Sequence, residues 1–97
     1  LERARERGPS EQALLDLALV AHLSGDVGAE VTACEQAIAT APDSRTAWAR
    51  YAHALARTDR TSDCLAACER ALELADDREV RDLREQVLAT APRELAA

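Results

Sequence analysis

Three cysteines, two histidines and a set of arginines are the side chains with chemistry to offer in this sequence. Cys64 and Cys68 stand one helical turn apart, which would present two thiolates to a metal, but no third and fourth ligand follows at a zinc-site spacing. Cys34 lies 34 residues before Cys68. Free cysteine packs as a small hydrophobe, so the three thiols read as core residues, reduced and without a disulfide framework. His22 and His53 have no neighbouring serine or cysteine that would form a relay. No glycine-rich phosphate loop or serine-nucleophile motif is present, so no catalytic residues, cofactor or metal are expected. Binding is the remaining chemistry. Arg50, His53 and Arg57 follow one another at steps of three and four, which sets them side by side on one helix face suited to carboxylates. The competing reading is a solvated charged face on which Asp16 neutralises Arg50.

The elements that would carry this face follow from composition. Hydrophobic residues make up 47% of the 97, yet there is one tryptophan, one tyrosine and no phenylalanine or methionine. Small side chains suit helices that approach closely, whereas a sheet sandwich needs the β-branched and aromatic residues that are scarce here. The fold class is expected to be all-α. A formal charge of −6 argues against nucleic acid, whose phosphates are held by clustered Lys and Arg. No apolar run approaches the roughly 20 residues of a membrane span, and no secretory leader is visible. The expected setting is soluble and cytoplasmic. The chain has neither lysine nor asparagine, the habit of an arginine-preferring, GC-rich bacterial proteome.

Residues 34 apart superimpose without a gap. Under this offset Ala18 meets Ala52, Ala33 meets Ala67, Cys34 meets Cys68, Glu35 meets Glu69 and Ala37 meets Ala71. Gly25-Asp26 and Asp59-Arg60 interrupt the two copies at equivalent places, so each copy is helix, turn, helix. The pattern predicts helices over 11–24, 27–41, 45–58, 62–75 and 77–90. Their caps are expected at Ser10, Asp26, Ser44, Thr61 or Ser62, and Asp76, the last paired with Glu79 in a capping box.

The second copy reads Trp48, Tyr51-Ala52, Leu55, Cys64, Cys68, Ala71 and Asp76; the first reads Leu14, Leu17-Ala18, Ala21, Glu30, Cys34, Ala37 and Pro42. In these residues the chain resembles the tetratricopeptide repeat family. Glu30 departs from the small residue usual at its place, and Asp76 replaces the terminal proline. The resemblance implies a short right-handed solenoid of two repeats, about 11–44 and 45–78. A C-terminal capping helix follows, in which Asp82, Glu85 and Gln86 back an apolar side of Val80, Leu83, Val87 and Leu88. Residues 1–9 resemble the end of a preceding repeat helix, and residues 91–97 are expected to form a flexible tail.

In this family the first helix of each repeat lines a concave groove. The resemblance therefore implies a protein-interaction scaffold, part of a larger protein, holding a partner peptide or helix at Leu15, Leu19, Arg50, His53, Arg57 and Arg84. The expected partner is acidic with an apolar anchor. The helix over 11–24 has scarcely a polar side, with Leu14 and Leu17 expected to pack on the next helix and Leu15 and Leu19 to face the groove. Upstream repeats, a ligand or self-association through this Leu-rich helix are the candidates to cover it. The alternative function is a structural spacer or dimerisation arm with no separate ligand.

Overall fold

The structure, a computed structural model, describes residues 10–90, all of whose regular elements are helices: α1 (Glu11–Ser24), α2 (Val27–Thr40), α3 (Arg45–Leu55), α4 (Thr61–Leu74) and α5 (Arg78–Thr90). The half-repeat expected at 1–9 and the tail expected at 91–97 lie outside the described residues.

Short polar punctuation sets the helix starts. The Ser10 hydroxyl accepts from the Ala13 amide at 3.2 Å, Asp26 Oδ1 accepts from Ala29 at 3.0 Å, and Ser44 Oγ accepts from Ala47 at 3.2 Å. Each satisfies an amide that the first turn leaves unpaired. Two caps differ from expectation. At α4 the cap position falls on Arg60, which supplies no side-chain cap. At α5 the capping carboxylate is Asp77, whose Oδ1 accepts from Glu79 at 2.9 Å and Val80 at 3.4 Å, while Asp76 pairs with Arg81 at 3.2 Å.

α1 stops at Gly25, whose φ of 80° belongs to the left-handed region that a side chain strains. The Asp26 amide there returns to the Ala21 carbonyl at 2.9 Å. α3 ends three residues earlier than its pattern suggests. The Arg57 and Thr58 amides tighten to the carbonyls of Ala54 and Leu55, and the Thr58 hydroxyl also donates to Leu55 O at 2.8 Å.

Consecutive helices pack on one another, and α3 also touches α5, giving an elongated body of 50 × 28 × 23 Å. The contact positions are small. Ala18 and Ala52, Ala33 and Ala67, Cys34 and Cys68, and Ala37 and Ala71 are buried in both members of each pair. The 34-residue offset is thus also an equivalence of burial. The largest cluster gathers Val31 of α2, Ala52, Ala54 and Leu55 of α3, Cys64, Ala67, Cys68 and Ala71 of α4, and Val80 and Leu83 of α5. α5 lays these last two residues inward and turns Asp82, Glu85 and Gln86 to water. Leu88, expected on its apolar side, is 37% exposed.

Candidate functional site

α3 positions the site. Its inner side is fixed by Ala47, Ala52, Ala54 and Leu55, all fully buried, which leaves the opposite side to Arg45, Thr46, Arg50 and His53. Trp48 holds the start of the helix by donating from Nε1 to the Pro42 carbonyl at 2.8 Å, and its ring meets Tyr51 edge-on at 6.1 Å. Where α3 meets the start of α5, Arg45, Arg50 and His53 line a hollow of about 220 Å³, closed on the far side by Asp77 and Glu79. Among the described residues none of Arg45, Arg50 and His53 forms an ion pair. Asp16 accepts instead from Gln12 at 2.9 Å, so it does not neutralise Arg50. The Asp77 carboxylate is already engaged in capping α5. The hollow therefore offers a ligand bearing carboxylates two guanidinium groups and an imidazole with open hydrogen-bonding capacity, set against the one remaining carboxylate of the lining, Glu79.

The other expected groove residues are placed differently. Leu15 is buried, 7% exposed, in a cluster with Leu14, Ala37 and Ala47, so it cannot present itself to a partner. Leu17, expected to pack on α2, is instead 55% exposed. The reason is the contact stripe Leu14, Ala18, Ala21, which turns Leu15 toward α3 and Leu17 outward. Leu19 is partly exposed at 41%, and it is not among the residues lining this hollow. Arg84 reaches Glu69 Oε2 on α4 at 3.8 Å.

Arg57 is committed elsewhere too. It ion-pairs through Nη2 with Oε1 of Glu30, a carboxylate that is buried between α2 and the end of α3, with His22 Nδ1 3.4 Å from the same oxygen. Oε1 takes no hydrogen bond of ordinary geometry, so its compensation is the Arg57 charge. Glu30 is the residue that departs from the repeat pattern, and the arginine that compensates it comes from the next repeat. Sequence reasoning assigned Arg57 to the groove because the i, i+4 step from His53 is blind to partners on other helices. It also missed Arg45, Thr46 and Ala49, although Thr46, Arg50 and His53 share the spacing of one helical face.

The three thiols are fully buried. Burial pushes the Cys34 thiol up to about 11, against a smaller opposing pull from Arg50. The Cys68 thiol is raised by its hydrogen bond with Cys64 and by burial. Cys64 itself donates to the Ala52 carbonyl at 3.3 Å. Cys34 and Cys68 are therefore neutral packing groups, whereas the hydrogen bond with Cys68 draws the Cys64 thiol below its ordinary value against the opposing effect of burial. Among the described residues no three His, Cys, Asp or Glu side chains gather as a metal would need, and no helix is long and apolar enough to cross a membrane. No protein-family model, curated protein or solved structure matches the chain.

Proposed function

We propose that this chain is a tetratricopeptide-like interaction module that holds an acidic segment of a partner protein in the hollow between α3 and α5, and that it works by binding rather than by catalysis. The single observation behind the binding site is the open set of Arg45, Arg50 and His53 on a helix whose other side is fully buried. The repeat reading is supported by the burial equivalence at 34 residues and by packing confined largely to neighbouring helices, as in an array of stacked pairs. α5, polar on its outer face, acts as the cap of that array. The mechanism is preorganisation: α3 is fixed by its alanine core, so a partner's carboxylates meet cations already in place. The same preorganised face argues against a mere spacer, which has no need of unpaired cations facing one hollow.

The test is a peptide-display selection on the 97-residue chain beside its Arg50→Glu/His53→Asp variant. Both positions are exposed, so the helical signal should persist. Enrichment of Asp- and Glu-bearing peptides on the parent alone supports the module. Identical enrichment on both, or none on either, removes the site. Arg57 is a poor probe of binding, because changing it strands the Glu30 carboxylate.

A further inference from the structure

The cations of α3 stand between two stripes of carboxylates. Arg45 and Thr46, which line the α3–α5 hollow, also line a second hollow of about 660 Å³, whose other walls include Glu11 and Gln12 of α1 and Asp43 of the α2–α3 connection. One surface therefore runs from α1 across the start of α3 to the start of α5. The three helices lie side by side along it, since Leu15 of α1 packs on Ala47 of α3 and α3 touches α5. The sign of the charge alternates with the helix. Thirty-four residues before Arg45 and Arg50 stand Glu11 and Asp16, so the places that are basic on α3 are acidic on α1. On the far side, the first turn of α5 presents Asp77 and Glu79.

These carboxylates are only partly engaged. Glu11 accepts from the Ser44 hydroxyl, and among the described residues neither Glu11 nor Glu79 forms an ion pair. Asp43 meets Arg70 at 3.4 Å, but its side chain is 90% exposed and Arg70 is shared with Glu73. Packed helices lie roughly 8–10 Å apart and an extended chain advances about 3.3 Å per residue, so a segment laid across the three helices passes from one to the next about every three residues. We infer that the segment held here alternates in charge: an acidic residue sits on Arg45, Arg50 and His53, and a basic residue about three positions to either side faces Glu11 and Asp43 on one flank and Glu79 on the other. A run of acids would instead set its outer carboxylates against those of the protein, at contact distances shorter than the screening length of roughly 8 Å in physiological salt. The inference rests on the acidic-segment reading of the α3–α5 hollow and names the charge order of that segment.

Three capped seven-residue peptides are the probes, each with glutamate at its centre and serines between centre and ends: one ends in arginine on both sides, one in serine, one in glutamate. The symmetric order keeps the charge pattern the same in either chain direction. Titrated into the 97-residue chain by fluorescence anisotropy at physiological ionic strength, the arginine-ended peptide should bind about fivefold more tightly than the serine-ended one, as exposed charge pairs allow, and the glutamate-ended peptide about fivefold more weakly. Glu11→Gln/Glu79→Gln, in which glutamine keeps an acceptor for Ser44, should bring the arginine-ended and serine-ended peptides within about twofold of each other. Asp82→Asn/Glu85→Gln removes the same charge from the outer face of α5 and should leave the order intact. Circular dichroism verifies that both variants remain folded. Equal binding of the three peptides, tightest binding of the glutamate-ended one, an order that survives Glu11→Gln/Glu79→Gln, or one that Asp82→Asn/Glu85→Gln abolishes equally, overturns the inference and leaves the acidic-segment reading standing. Saturable binding by none of them removes the hollow as a site, and the inference with it.

Discussion

Removing Arg57 should be far more damaging than removing the carboxylate it compensates. Glu30 has a side chain only 8% exposed, whereas that of Arg57 is 39% exposed. Breaking a fully buried pair by deleting one partner costs about 3–5 kcal/mol, because the remaining charge is stranded in a medium that solvates it poorly. Arg57 is partly solvated and His22 stays near the same oxygen, so Arg57→Ala is expected to cost about 2–3 kcal/mol, less than the fully buried limit. For a domain of this size that is a fall in Tm of roughly 10–20 °C. Glu30→Leu leaves Arg57 free to turn to water and should stay within about 1 kcal/mol of the parent, as isosteric apolar replacements of buried ions do. The chain contains its own precedent, since Cys64, at the place equivalent to Glu30, is fully buried without any charge. In the double variant the loss from Arg57→Ala should nearly vanish. Urea unfolding followed by circular dichroism measures all four proteins of this cycle. The reasoning is refuted if Arg57→Ala costs as much in the Glu30→Leu background as alone, or if Glu30→Leu is the more damaging single change.

Two further outcomes follow from the core. The folded Cys34 thiol, at about 11, lies above the roughly 8.5 of an exposed cysteine, so the unfolded chain releases its proton first as pH rises. Its stabilising share is whole below about pH 8.5 and disappears by about pH 11, a loss on the order of 3 kcal/mol that Cys34→Ala should abolish in a pH series of urea midpoints. Trp48→Ala removes a half-buried indole, its bond to Pro42 and its edge contact with Tyr51. The expected cost is about 2–3 kcal/mol, below the 3–5 of a fully buried aromatic, and a loss within 0.5 kcal/mol by thermal unfolding would contradict the anchoring of α3.

The helices and most of the core were legible because they depend on local rules. Ser10, Asp26 and Ser44 cap where their types and spacing indicate, and the alanines and cysteines paired by the 34-residue offset are buried in both copies. What escaped the sequence depends on neighbours. Asp76 and Asp77 are adjacent carboxylates, and only the backbone decides which of them aims at the first turn of α5. Leu15 and Leu17 are alike in type, and their opposite fates depend on which side of α1 meets α3. The site was half legible: Arg50 and His53 do share an open face, but Arg57 and Arg84 have carboxylate partners that lie 27 and 15 residues away in the chain.

The central claim is that the Arg45–His53 face receives an acidic segment, and a two-dimensional amide NMR titration of the labelled 97-residue chain tests it most directly. The probe is a short peptide carrying several aspartates and glutamates around one leucine. Chemical-shift changes that saturate and concentrate on residues 45–53 and 77–79, and that Arg50→Glu removes, are the predicted result. Shifts confined to α1, or a spectrum unmoved by excess peptide, contradict it.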